Sequence, residues 1–184
     1  MVGRPGILVI AGLTAVGLAA CAGDRFDEYS QRDRTRGPQA GEPHPEYAAV
    51  SLDGDTIRLS DYRGEALLVN FWATWCKPCV AEFPDFIALK EELEPRGLRF
   101  LGVTLDERPA EEVQAFLDRH GVTWPNVIDR SNRVDAAFGW ENGIPKTLLI
   151  DRQGRTVVWW WGQLDTSSER NRAYLERALV SDVE

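Results

Sequence analysis

The chain has 184 residues, 43% of them hydrophobic and 10% aromatic, which fits one folded domain with tails and excludes a chain disordered throughout. Its 29 acidic residues outnumber 21 basic ones for a net charge of −8, and without a basic cluster it is no nucleic-acid binder. Three cysteines cannot make a multi-bridge scaffold, so Cys21, Cys76 and Cys79 each need an account.

Residues 1–20 read as an export signal. Arg4 and the amino terminus supply a positive region, and the uncharged run Ile7–Ala20 follows. As a helix those 14 residues would reach ~21 Å, short of a ~30 Å hydrocarbon core, so a signal segment is expected and not a membrane span. The run ends in Leu18-Ala19-Ala20-Cys21, which resembles the lipobox of bacterial lipoproteins. That resemblance implies lipid on Cys21, loss of residues 1–20 and an anchor in a membrane, with the protein outside the cytoplasm. Two or more acyl chains make such anchoring stable. Ala22 stands where lipoproteins kept at the inner membrane often carry Asp, which favours the outer membrane.

Residues 21–45 are polar, charged and rich in Gly and Pro, and are expected to be a flexible tether with a reach of ~25–30 Å. His44, between two prolines, is expected to be solvated. The folded domain is expected over 46–184. Ala49–Leu52 and Thr56–Leu59 flank Asp53-Gly54-Asp55, a hairpin signal. Ala66–Trp72 is an almost unbroken apolar run, as for a strand buried on both faces.

A helix is expected from about Cys76, with Val80, Phe83, Ile87 and Leu93 inward and a kink at Pro84. Leu98–Thr104 is the next strand. Pro109–His120 follows as a helix with Val113, Phe116 and Leu117 inward, ended by Gly121, and His120 reads as a cap in its last turn. Val127–Ile128 is a short strand and Arg133–Phe138 a helix. Thr147–Asp151 and Thr156–Trp161 bracket a second hairpin at Arg152-Gln153-Gly154, and Ser168–Leu179 is the last helix. Strands alternating with helices and closed by a hairpin predict a three-layer α/β domain with a mixed sheet and helices on both faces.

The central strand runs into Trp75-Cys76-Lys77-Pro78-Cys79 and a helix start. Cysteines at i and i+3 on a first turn share one face within bridging distance. Free amides at that terminus favour an anion, so Cys76, nearer the loop, is expected to be the exposed, ionised nucleophile. Cys79 is expected to be the shielded resolving thiol. Pro78 is tolerated because its missing N–H would be unpaired there. These features support thiol–disulfide exchange through a mixed disulfide.

The motif WCKPC after a buried strand resembles the thioredoxin superfamily, and further residues narrow it to the membrane-tethered TlpA/ResA-like branch. Glu82 completes a Cys-x-x-Glu-x-Pro run with Pro84, and Asn70 stands where ordinary thioredoxins carry a buried aspartate. Gly143–Gly154 resembles the family stretch Gly-x-Pro-x-Thr-x-x-x-Asp-x-x-Gly. The 65 residues between Cys79 and Pro145 leave room for the branch's strand–helix insertion, and the hairpin at 49–59 matches its amino-terminal extension.

The resemblance implies a cis peptide between Ile144 and Pro145 facing the cysteines, with the backbone before it open to an extended substrate. It also implies that Pro145 keeps metal from the thiols, and that Trp75, Lys77 and Pro78 border the substrate. Glu82, partly buried, is expected to shuttle a proton or raise the thiol pKa, and Lys77 to favour thiolate.

A lone CxxC is also half a zinc site, but only His44 and His120 exist as further nitrogen ligands and both are badly placed. No metal site and no cofactor beyond the redox-active disulfide are expected. The spacing Pro-x-x-x-Thr-x-x-Cys of a peroxidase is missing, since Thr74 lies two residues before Cys76. Two classes remain. One is a reductase of selected disulfides outside the cytoplasm, on apocytochrome c or copper-site cysteines, fed by a membrane thiol carrier of the DsbD/CcdA type and acting as a monomer. The other is a copper-carrying module using both thiolates as soft ligands. Trp159-Trp160-Trp161 fits either a docking surface or sheet packing.

Overall fold

The structure, a computed structural model, describes residues 38–130, 133, 137 and 143–181. The expected signal segment, Cys21 and most of the tether lie outside them. So does the helix expected at 133–138, apart from Arg133 and Ala137, which are helical. Strands β1 (Ala48–Val50) and β2 (Thr56–Arg58) form the expected hairpin, antiparallel around Asp53-Gly54-Asp55. A single 3₁₀ turn at Leu59–Tyr62 leads to β3 (Ala66–Trp72), in which all seven residues are buried.

The helix after the cysteines is two helices: α1 (Lys77–Ala81) and α2 (Phe83–Leu93), broken at Glu82 just before Pro84. Pro84 has no N–H to give to a carbonyl one turn back, so it stands in the first turn of a new helix, where that N–H would be unpaired. The inward face is the expected one, with Val80 and Ile87 packed against the core at its margin. Phe83, Phe86, Leu89 and Leu93 are buried, and Ile87 is half-buried against the same core.

Strand β4 (Leu98–Thr104), helix α3 (Ala110–Arg119) and strand β5 (Asn126–Ile128) follow. Val113 and Leu117 bury the inner face of α3. His120 is its C-cap, with its ring packed 4.5 Å from Phe116 and 5.9 Å from Phe83. Strands β6 (Lys146–Ile150) and β7 (Thr156–Trp161) make the second hairpin, and α4 (Glu169–Val180) ends the described chain.

The main sheet runs β5-β4-β3-β6-β7, with β3, β4 and β5 parallel and β6 and β7 antiparallel to their neighbours. This is the mixed sheet of a thioredoxin-like α/β fold. One face carries Leu68, Trp72, Phe83, Phe86, Phe100 and Trp124 beneath the helices, and the other carries Leu67, Val69, Phe71 and Leu148 beneath the first hairpin. Emptying one such site, as in Phe83→Ala, removes ~3–5 kcal/mol of stability.

The domain begins earlier than its apolar pattern does. The Gly41 amide donates to the Thr156 carbonyl at 2.8 Å, the His44 amide donates to the Gly154 carbonyl at 3.1 Å, and Pro43 bridges Arg155. His44 is therefore buried, contrary to the solvated position expected, with Nδ1 2.9 Å from the Pro45 carbonyl oxygen. Backbone pairing to the second hairpin ordered a stretch whose side chains carry no hydrophobic signal.

Candidate active site

Central strand β3 delivers its last residue, Trp72, to one end of the sheet and the chain turns there. The Cys76 amide closes the turn on the Ala73 carbonyl at 3.0 Å. Cys76 is the N-cap of α1, and its Sγ accepts the Cys79 amide at 3.3 Å. Cys76 and Cys79 are joined as a disulfide with Cα atoms 5.3 Å apart. Cys79 is wholly buried. Cys76, expected to be exposed, is only 5% exposed in this oxidised form. The accessible rim is made instead by Trp75, 65% exposed, and by Lys77 and Pro78. Because α1 stops at Glu82, the favourable field at Cys76 comes from one turn of free amides and not from a long helix.

Glu82 caps the break between α1 and α2. Its amide donates to the Cys79 carbonyl at 3.3 Å, while its side chain turns to the loop after β7. There Oε1 accepts the Leu164 amide at 2.5 Å, and Oε2 is buried with no hydrogen-bond partner among the described residues. Burial pushes its pKa up to about 8, and the Leu164 bond offsets only part of that rise. A carboxyl group near neutrality fits a proton-transfer role. The same loop is tied to the cysteine turn by Gln163, whose Nε2 donates to the Pro78 carbonyl at 3.1 Å.

The peptide bond between Ile144 and Pro145 is cis. Phe71 pairs with Lys146 on β6, so Pro145 stands beside the exit of β3 at the same end of the sheet as the cysteines. Pro145 is buried and Ile144 half-buried. Register thus brings Trp75, Cys76, Lys77, Pro78, Cys79, Glu82, Ile144 and Pro145 to one end of the sheet. An open groove of about 410 Å³ runs along this end, bordered by Trp75, Leu105, Asp106, Glu107 and Arg108.

Residues 40–158 match the profile of the AhpC/TSA family, well over half of the chain. The chain belongs to the AhpC/TSA family. Within it the chain sides with the ResA-like thiol–disulfide oxidoreductases. It is 40% identical over 115 residues to the thiol-disulfide oxidoreductase ResA of Geobacillus thermodenitrificans, covering 62% of this chain and 65% of that protein. The chain thus spans just under two thirds of that relative's length. With the ResA of Bacillus thuringiensis strain Al Hakam it shares 30% over 139 residues, 76% of this chain and 78% of that one. A secreted thiol-disulfide isomerase from Corynebacterium glutamicum superposes with a TM-score of 0.64 at 27% identity, over 73% of this chain and 82% of its own.

Three features of the site escape sequence reasoning. Lys146 is fully buried beside the cis peptide, its Nζ 5.3 Å from the Trp161 ring. At Gly102 a side chain would collide with the Asn126 carboxamide, which accepts the Trp72 indole N–H at 2.9 Å. Asp106, buried at the exit of β4, bonds the loop before Cys76. Each depends on register between strands, and no local motif announces it. Of the tryptophan run, Trp160 packs on Tyr174 and donates to Asn171 at 3.0 Å, so α4 holds it.

Proposed function

We propose that the protein is an extracytoplasmic thiol–disulfide oxidoreductase that reduces selected disulfides of partner proteins. The observation that carries this is the Cys76–Cys79 disulfide at a helix start, with the buried Glu82 side chain on the next turn. The chain's similarity to the thiol-disulfide oxidoreductases ResA and to the secreted thiol-disulfide isomerase supports the same chemistry.

Reduced Cys76 attacks one sulfur of a partner disulfide as thiolate. A Cys76–partner S–S bond forms, the partner's S–S bond breaks, and its second sulfur leaves with the electron pair and takes a proton. Cys79 thiolate then attacks Cys76 Sγ, forming the intramolecular bridge and releasing the partner's remaining sulfur as thiolate. Two electrons have passed from the dithiol to the partner. Glu82 exchanges the proton of Cys79 in this second step, and the backbone at Ile144 pairs with the extended partner chain.

The finer assignment rests on the sequence. The signal-like run and the resemblance of Leu18–Cys21 to a lipobox support a lipid anchor on Cys21, the outer membrane being favoured by Ala22. Among the described residues no helix is long and apolar enough to cross a membrane. Electrons come from an integral-membrane thiol carrier of the DsbD/CcdA type. The disulfides reduced are those of apocytochrome c or of copper-site cysteines. A glutathione-buffered titration run beside copper binding tests the reading: a potential well below the glutathione couple with weak copper affinity is expected. Tight stoichiometric copper with sluggish exchange contradicts it and supports the copper carrier.

A further inference from the structure

Asp106 stands two residues beyond the last residue of β4. Trp72 on β3 pairs with Thr104 on β4, so two residues further along each chain Thr74 lies beside Asp106. The carboxylate engages three donors. Oδ2 accepts the Thr74 amide at 2.7 Å and the Thr104 hydroxyl at 2.8 Å, and Oδ1 accepts the Thr74 hydroxyl at 2.6 Å. Asp106 is 1% exposed. Burying a carboxylate is unfavourable unless its oxygens are paired, and bonds to a charged acceptor are the stronger kind. The contact is therefore a clamp between the exits of two neighbouring strands.

What it clamps is the turn that carries the nucleophile. Thr74 lies inside Ala73–Cys76, the turn closed by the Cys76 amide. Between Thr74 and Cys76 stands only Trp75, whose 65% exposure leaves little packing to fix the chain there. The position of Cys76 Sγ against the Cys79 amide is thus held from one side by α1 and from the other by Thr74.

We propose that Asp106 is a positioning residue for thiol–disulfide exchange: through Thr74 it holds the turn that aims Cys76 at the partner disulfide and at the Cys79 amide. The proposal rests on the reading of Cys76 as nucleophile. Displacement at sulfur needs aligned atoms, and misplacement by about 1 Å can slow a reaction by ~10²-fold.

The test uses the full chain and the variants Asp106→Ala, Thr74→Val and Thr74→Ser. Reduced protein reacts with the aromatic disulfide dithiobis(nitrobenzoate) at fixed pH, its thiol–disulfide equilibrium is measured against glutathione, and Tm is followed in parallel. Asp106→Ala and Thr74→Val are expected to react about tenfold or more slowly. Their glutathione equilibrium is expected to move several-fold toward the disulfide, because the reduced form loses the amide contact that favours thiolate. Thr74→Ser keeps both donors and is expected to match the unaltered chain.

A lowered Tm with unchanged rate and equilibrium would make Asp106 a structural staple and overturn the proposal. Where Asp106→Ala fails to fold, Thr74→Val decides alone, since it keeps the backbone bond and the shape of the side chain. An unaltered chain inert in both assays overturns the oxidoreductase reading itself, an outcome distinct from variants that equal an active chain.

Discussion

The two sides of the CxxC turn each bury a carboxyl group, and they differ in how well it is bonded. Before Cys76, Asp106 has both oxygens engaged by three donors from Thr74 and Thr104. After Cys79, Glu82 has one oxygen on the Leu164 amide and the other without a partner among the described residues. Both residues are 1% exposed. Hydrogen bonds to the charged form stabilise it, and burial without them favours the neutral acid. The bonded carboxylate is suited to hold a turn in place, and the half-bonded one, with its pKa raised to about 8, to give and take a proton.

The largest effect removes what both sides serve. Cys76→Ser is expected to abolish exchange while Tm stays within a few degrees of the reduced unaltered protein, as an activity assay beside thermal melting will show. A normal fold with residual exchange would move the nucleophile elsewhere.

Glu82→Gln comes next, with exchange slowed ~10²-fold, the usual loss for a missing acid–base group. This variant also has a pH signature. Glu82 titrates at about 8 in the folded chain and at about 4.5 when unfolded. Its contribution to stability is complete below pH ~4.5, declines as the unfolded chain ionises while the folded one stays neutral, and is flat above ~8. Melting curves across that window are expected to fall for the unaltered chain relative to Glu82→Gln. Parallel curves would mean that Glu82 is ionised in the fold across that window and is not held as a proton donor.

Trp75→Ala is the smallest change. At 65% exposure the side chain is expected to alter stability by no more than ~0.5 kcal/mol. A KM for a protein disulfide raised several-fold, with kcat nearly constant, is the expected kinetic result; equal losses in both would place Trp75 in the chemistry and not on the rim.

Most strands and both hairpins were legible because their periodicity is local: β4 runs over Leu98–Thr104 and β7 over Thr156–Trp161, as the apolar runs predict. The cysteine motif was legible for the same reason. The break in the first long helix was not, because the expected kink at Pro84 is instead a break at Glu82, where the side chain turns to a loop 82 residues on. His44 misled because its burial comes from backbone pairing with a hairpin more than a hundred residues away. Asp106 was invisible because its partner Thr74 is 32 residues distant and meets it only through the parallel register of β3 and β4. Glu82 was found from its motif, but the Leu164 amide that bonds it lies 82 residues on.

The most direct test of exchange through Cys76 is a trapped intermediate. Cys79→Ala is incubated with glutathione disulfide and the adduct is located by peptide mass mapping, which separates Cys76 from Cys21. A single glutathione on Cys76, released when Cys79 is restored, is the expected result. A folded protein with Cys76 unmodified, or with an adduct equally stable when Cys79 is present, would contradict it.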